Sequence, residues 1–139
     1  MQNDVDKAER LSRARAILFY LLAATFVASG LIGLKATHSV SQLVGWIVLA
    51  LLIALNLTPY PPLFRFNRVK QLMNDEATAL HRQRSFAAGF WAAIATAVGL
   101  AVVARTWPLA ADDVARLVVT AALAAALVRF ATLELRAAK

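Results

Sequence analysis

Long uncharged runs, separated by short clusters of basic residues, set the pattern of the chain. Ala16 to Leu34 is the first run, closed by Arg15 and Lys35. Gln42 to Thr58 is the second, ended by Pro59, Pro61 and Pro62. Ser85 to Ala104 is the third, between Arg84 and Arg105. About 20 apolar residues at 1.5 Å per residue cross the ~30 Å hydrocarbon layer of a bilayer, so each run predicts a transmembrane helix. The fourth run, Leu117 to Val128, is short, but it reaches spanning length from Val114 to Leu135 if Arg116 and Arg129 snorkel toward opposite interfaces. The expected spans are 16–34, 42–58, 85–104 and 114–135, with a middle loop at 59–84.

The lead-ins to spans 1 and 3 also read as helix. Between Asn3 and Arg15 the acids Asp4, Asp6 and Glu9 alternate with and then give way to bases, and Asn74, Asp75 and Glu76 stand before the third run. Acids at a helix start complement its dipole, and Asn74 or Asp75 suits an N-cap. Continuous helices from near Asp4 to Leu34 and from Asp75 to Ala104 follow. Pro108 fits a turn before span 4, with Asp112 or Asp113 as its cap.

Composition removes the soluble alternative. The 139 residues are 60% hydrophobic and 17% charged, with a mean hydropathy of +0.63, against about 45–50% and about 25% in soluble domains. The net charge of +7 is read through the positive-inside rule rather than as a nucleic-acid footprint. Twelve of the fifteen Lys and Arg residues lie in the N-terminal segment, the middle loop and the C-terminal end. Lys35, Arg105 and Arg116 are the other three. Both termini and the middle loop are therefore expected in the cytoplasm, in an all-α, integral membrane four-helix bundle of two in-out-in hairpins. Tyr20 and Tyr60 would mark the cytoplasmic interface and Trp46 and Trp107 the far one, with Trp91 in the inner half of span 3, packed or facing lipid.

A shift of 69 residues lays Leu11-Ser12-Arg13-Ala14-Arg15 on Leu80-His81-Arg82-Gln83-Arg84, and Gly30-Leu31 on Gly99-Leu100. The L-x-R-x-R motif and the shared Gly-Leu are consistent with a duplicated hairpin. Small residues are the expected contact points, because helices in lipid associate by close packing. Ala24 and Ala28 in span 1, and Gly89, Ala93 and Ala97 in span 3, are the predicted packing faces, with Ala95 and Gly99 on a second face of span 3. Span 2 is rich in Leu and Ile and is expected to face lipid, leaving spans 1, 3 and 4 as the tight interior.

Candidate chemistry is sparse. No cysteine is present, which removes disulfides, thiolate catalysis and Cys-ligated metals. His38 and His81 are the only histidines and fall on opposite sides of the membrane, so no cofactor and no metal site is expected. Spans 1 to 3 contain no Asp, Glu, Lys, Arg or His, and such residues deep in a span are the usual mark of a proton or substrate path. A four-helix multidrug exporter would carry a glutamate in its first span, and this chain does not. No phosphate loop, HExxH or GxSxG motif occurs, so catalysis has no residues to carry it. Asn56 is the one carboxamide in span 2. The middle loop interleaves Phe64, Arg65, Phe66, Arg68 and Lys70, a pattern that suits a membrane surface with anionic headgroups or a partner protein. The expected protein is a non-enzymatic subunit or regulatory partner in the bacterial cytoplasmic (inner) membrane, acting through these basic segments as a homo-oligomer or with another membrane protein, without nucleic acid. The alternative is a small oligomeric channel or transporter for an ion or small solute.

Overall fold

The computed structural model describes residues 2–35, 40–57 and 76–137. Within them the chain forms four helices and no strand: α1 Gln2–Lys35, α2 Val40–Leu57, α3 Glu76–Val103 and α4 Ala111–Ala137. All four are long and apolar enough to cross a membrane. Both helical lead-ins are present, since α1 runs unbroken through its basic N-terminal stretch and α3 begins nine residues before Ser85. At 1.5 Å per residue, the 34 residues of α1 extend about 51 Å, well beyond ~30 Å of hydrocarbon. Arg129 lies on the surface, whereas Arg116 turns inward. That inward turn differs from the snorkelling expected of it.

The connection from α3 to α4 is short and ordered by its own hydrogen bonds. The Ala104 amide donates to the Leu100 carbonyl at 2.8 Å, and Thr106 and Trp107 both donate to the Val103 carbonyl at 3.0 Å. The Thr106 hydroxyl also donates to that carbonyl at 2.9 Å, so the last turn of α3 leaves no orphan there. α4 then begins at Ala111, with Asp112 and Asp113 inside its first turn. The cap position is Ala110, whose carbonyl accepts from the Val114 amide, so neither Asp112 nor Asp113 is the cap expected of it; two and three positions past it, they complement the helix dipole from within.

α4 is the centre of the fold. It packs extensively against both α1 and α3, while α2 touches α1 and α4 more lightly. α1 and α4 are antiparallel, since Phe19 meets Phe130 and Gly30 meets Thr120. The buried face of α1 is Ala16, Phe19, Ala23, Phe26 and Gly30, an alternating spacing of three and four that makes a coiled-coil seam. On α4, Arg116, Thr120, Leu127 and Phe130 supply the facing positions, and on α2 Trp46, Ala50, Ile53 and Leu57 follow the same rhythm.

Two glycines set the closest approaches. A Cβ on Gly30 would lie 2.8 Å from Thr120 Oγ1. One on Gly89 would lie 2.8 Å from the Ala122 carbonyl oxygen and 3.2 Å from Ala126 Cβ. None of the described glycines has a positive φ, so these two serve by lacking a side chain.

The packing agrees with the expected interior in part: α1, α3 and α4 make the extensive contacts and α2 touches only lightly, but α3 is more open than expected. α3 is the least covered span: only 6% of its membrane window is buried, against 11% for α2, 28% for α1 and 33% for α4. It docks on α4 along one face and leaves Phe86, Phe90, Trp91 and Val98 outside. The two hairpins are also packed unequally, because α3 and α4 meet along their length whereas α1 and α2 hardly meet.

Replacing Gly89 with valine should destabilise the α3–α4 contact by about 1–3 kcal/mol, since a rigid backbone carbonyl blocks the added carbons. Gly45→Val should cost far less, because nothing lies within 4 Å of a Cβ there. Thermal unfolding in detergent followed by far-UV circular dichroism would compare the two.

Candidate functional site

The expected docking segment, Phe64, Arg65, Phe66, Arg68 and Lys70, lies outside the described residues, as do Tyr60, His38 and the Asn74 and Asp75 cap positions. Asn56 is described and exposed, and its amide Nδ2 donates to the Leu52 carbonyl one turn back at 3.4 Å. It lies on the outer surface of α2 and lines no interior path.

Of the predicted packing residues, Gly89 is buried and Ala93 half-buried, but Ala24, Ala28 and Ala97 are exposed. The reason is periodicity: α1 turns its 16-19-23-26-30 seam to α4, which places Ala24 and Ala28 off to one side. There they line an open apolar groove of ≈ 540 Å³ between α1 and α4, together with Val27, Leu31, Ala124 and Val128. Tyr20 also lines this groove. Its hydroxyl is 2.8 Å from Thr132 Oγ1, and Thr132 donates to the Val128 carbonyl at 2.7 Å. A hydroxyl has one proton, so Tyr20 is the donor in this pair.

At the same end of the fold Arg15 lies over two aromatic rings, 5.6 Å from the centroid of Phe19 and 5.4 Å from that of Phe130. Those rings meet edge to face at 5.3 Å. Arg82 of α3 is within electrostatic reach of Arg15 and of Glu134. Ser85 is fully buried beside them and donates to the His81 carbonyl at 2.7 Å.

The opposite end holds an unusual arrangement. Arg116 is 6% exposed and Thr120, one turn on, is 7% exposed. The Arg116 guanidinium lies 5.7 Å from the centroid of Trp46, which is stacked on Phe26 at 6.0 Å. Four buried polar atoms here have no hydrogen-bond partner: Arg116 Nε, Trp46 Nε1, Thr120 Oγ1 and Asp113 Oδ1. Arg116, Trp46 and Gly30 each stand five or six residues inside a helix end, roughly 7–9 Å deep at 1.5 Å per residue. Taking a cation out of water costs several kcal/mol, and a desolvated cation–π contact returns about 2. The ring of Trp46 alone therefore does not balance the burial of Arg116, and Asp112 and Asp113 stand one turn before it on α4.

Sequence reading placed Trp46 and Arg116 at an interface. The signal it missed was register: Arg116, Thr120, Leu123 and Leu127 continue the seam that faces α1, so Arg116 has to point inward. Among the described residues no group of three or more His, Asp or Glu is placed to hold a metal.

Neither protein-family models nor curated proteins nor solved structures give a match to this chain.

Asn56→Leu should shift stability by less than about 0.5 kcal/mol, as for an exposed substitution with no partner helix. Tyr20→Phe should cost about 1 kcal/mol, the worth of one hydrogen bond, and chemical denaturation in mixed micelles would separate them.

Proposed function

We propose that this protein is a non-catalytic subunit of a larger membrane assembly, contacting its partner through the uncovered face of α3 and through its basic middle loop. It sits in a bacterial cytoplasmic membrane with both termini and that loop inside. The observation that supports the reading is the contrast between two glycines that correspond under the 69-residue shift. Gly30 has Thr120 of α4 against it, whereas Gly99 has nothing within 4 Å. Ala95 stands one turn before Gly99 on the same exposed face, giving the small-x-x-x-small spacing that lets a second helix approach closely in lipid. An uncovered mid-helix glycine costs roughly 0.5–1 kcal/mol relative to alanine. A helix docked on it offsets that cost, as α4 does at Gly30. The Gly89 face is already occupied, so a partner at Gly99 leaves the internal packing intact.

A second reading, a small oligomeric channel or transporter for an ion or small solute, draws on the buried Arg116 recess. It makes a different demand, since flux through liposomes would then depend on this protein alone.

Affinity purification in mild detergent followed by mass spectrometry decides between them. The subunit reading gives a reproducible stoichiometric companion from wild-type membranes. Gly99→Leu should remove most of that companion at unchanged yield and helix content, and so should joint neutralisation of Arg65, Arg68 and Lys70. A homogeneous preparation without any companion overturns the reading. Because the chain has no cysteine, orientation is testable on the same material. A Thr106→Cys variant should react with an impermeant maleimide only from outside the cell, and a cysteine at Lys139 only after lysis.

A further inference from the structure

We infer that the recess formed by Arg116, Thr120 and Trp46 where α1, α2 and α4 meet is a binding site for a small monovalent anion of halide size. Three observations carry this. Arg116 and Thr120 are both more than nine-tenths buried, and each has a polar atom without a partner. Trp46 adds an indole N–H in the same condition, held in place by its stack on Phe26 and by the guanidinium over its ring. Thr120 and Arg116 are one helical turn apart on α4, so hydroxyl and guanidinium project from one face. The unpartnered donors are thus a cationic N–H, a neutral N–H and an O–H, carried on two helices. Buried donors without acceptors are costly, and one ion that accepts from all three removes the cost at once.

The walls limit what fits. On the Gly30 side the hydroxyl is walled off, since a Cβ there would lie 2.8 Å from Thr120 Oγ1, so an ion is held on the side of Arg116 and Trp46. Asp113 stands one turn before Arg116 with Oδ1 also unpartnered. Its negative charge opposes a divalent anion and leaves a monovalent one tolerable beside the guanidinium. The oxygen also offers an acceptor to a water that hydrates the ion. The inference is independent of the subunit reading, because an anion here can brace the junction of three helices whatever docks on α3.

Trp46 is a built-in reporter. Trp91 and Trp107 are exposed, so replacing both with phenylalanine leaves Trp46 as the sole indole without opening the interior. Sodium gluconate is exchanged for sodium chloride at constant ionic strength while emission from purified protein is recorded. A saturable change in Trp46 emission is expected, absent in Arg116→Gln and shifted roughly fivefold to weaker chloride binding in Thr120→Val, the weight of one hydrogen bond. A response that is linear in chloride overturns the inference, as does one that persists unchanged in Arg116→Gln. Should Arg116→Gln fail to fold, Thr120→Val decides alone: an unshifted midpoint there means that the ion is not held by this hydroxyl and overturns the site.

Discussion

Two close approaches to a single helix hold this protein together. On one side of α4 the backbone of α1 comes in at Gly30 until Thr120 is against it, and on another α3 comes in at Gly89 until it meets the Ala122 carbonyl. Thr120 and Ala122 are two residues apart, so both contacts fall within one turn of the same helix. In a bilayer the lipid tails compete equally for apolar surface, and what remains to favour association is fit. The alanine-rich middle of α4, from Ala121 to Ala126, supplies that fit because it adds almost no side-chain bulk between its neighbours. The larger side chains of the seam are divided between its ends, Phe19 meeting Phe130 at one and Phe26 stacking on Trp46 toward the other.

The helices themselves were legible in the sequence, and the physical reason is simple. A hydrocarbon layer imposes a length and forbids charge, so runs such as Ala16 to Leu34 announce themselves. The helical lead-ins were also legible, through acids at their beginnings. Which faces meet was much less so. Ala24 and Ala28 are as small as Ala16 and Ala23, and only the 3-4 rhythm with Phe19, Phe26 and Gly30 separates the seam from the groove. That α4 takes α3 as a close neighbour and α2 only lightly was legible, but how little of α3 would be covered was not: it has small residues on two faces, and composition does not tell which one a neighbour inside the same chain has taken.

Arg116 shows the same limit in an energetic form. An arginine near a helix start is ordinarily free to reach the headgroups, and its long side chain makes that inexpensive. Here the register of α4 commits its stem to the seam, and the ring of Trp46 receives the charge. Counting charged residues along the chain locates Arg116 at a boundary, whereas counting heptad positions locates it in the interior. The two counts disagree at this one residue, and the disagreement marks the polar recess.

The central place of α4 has a consequence for biosynthesis. It is the last of the four helices to emerge from the ribosome, yet it is the one on which α1 and α3 pack, while α1 and α2 have little hold on each other. The first three helices must therefore enter the lipid as nearly independent segments and wait there without a partner. Their insertion has to rest on their own hydrophobicity rather than on mutual support, consistent with the absence of acid or base from spans 1 to 3. Native tertiary structure arrives late and almost at once, when the segment with the buried arginine is drawn in between neighbours already in place.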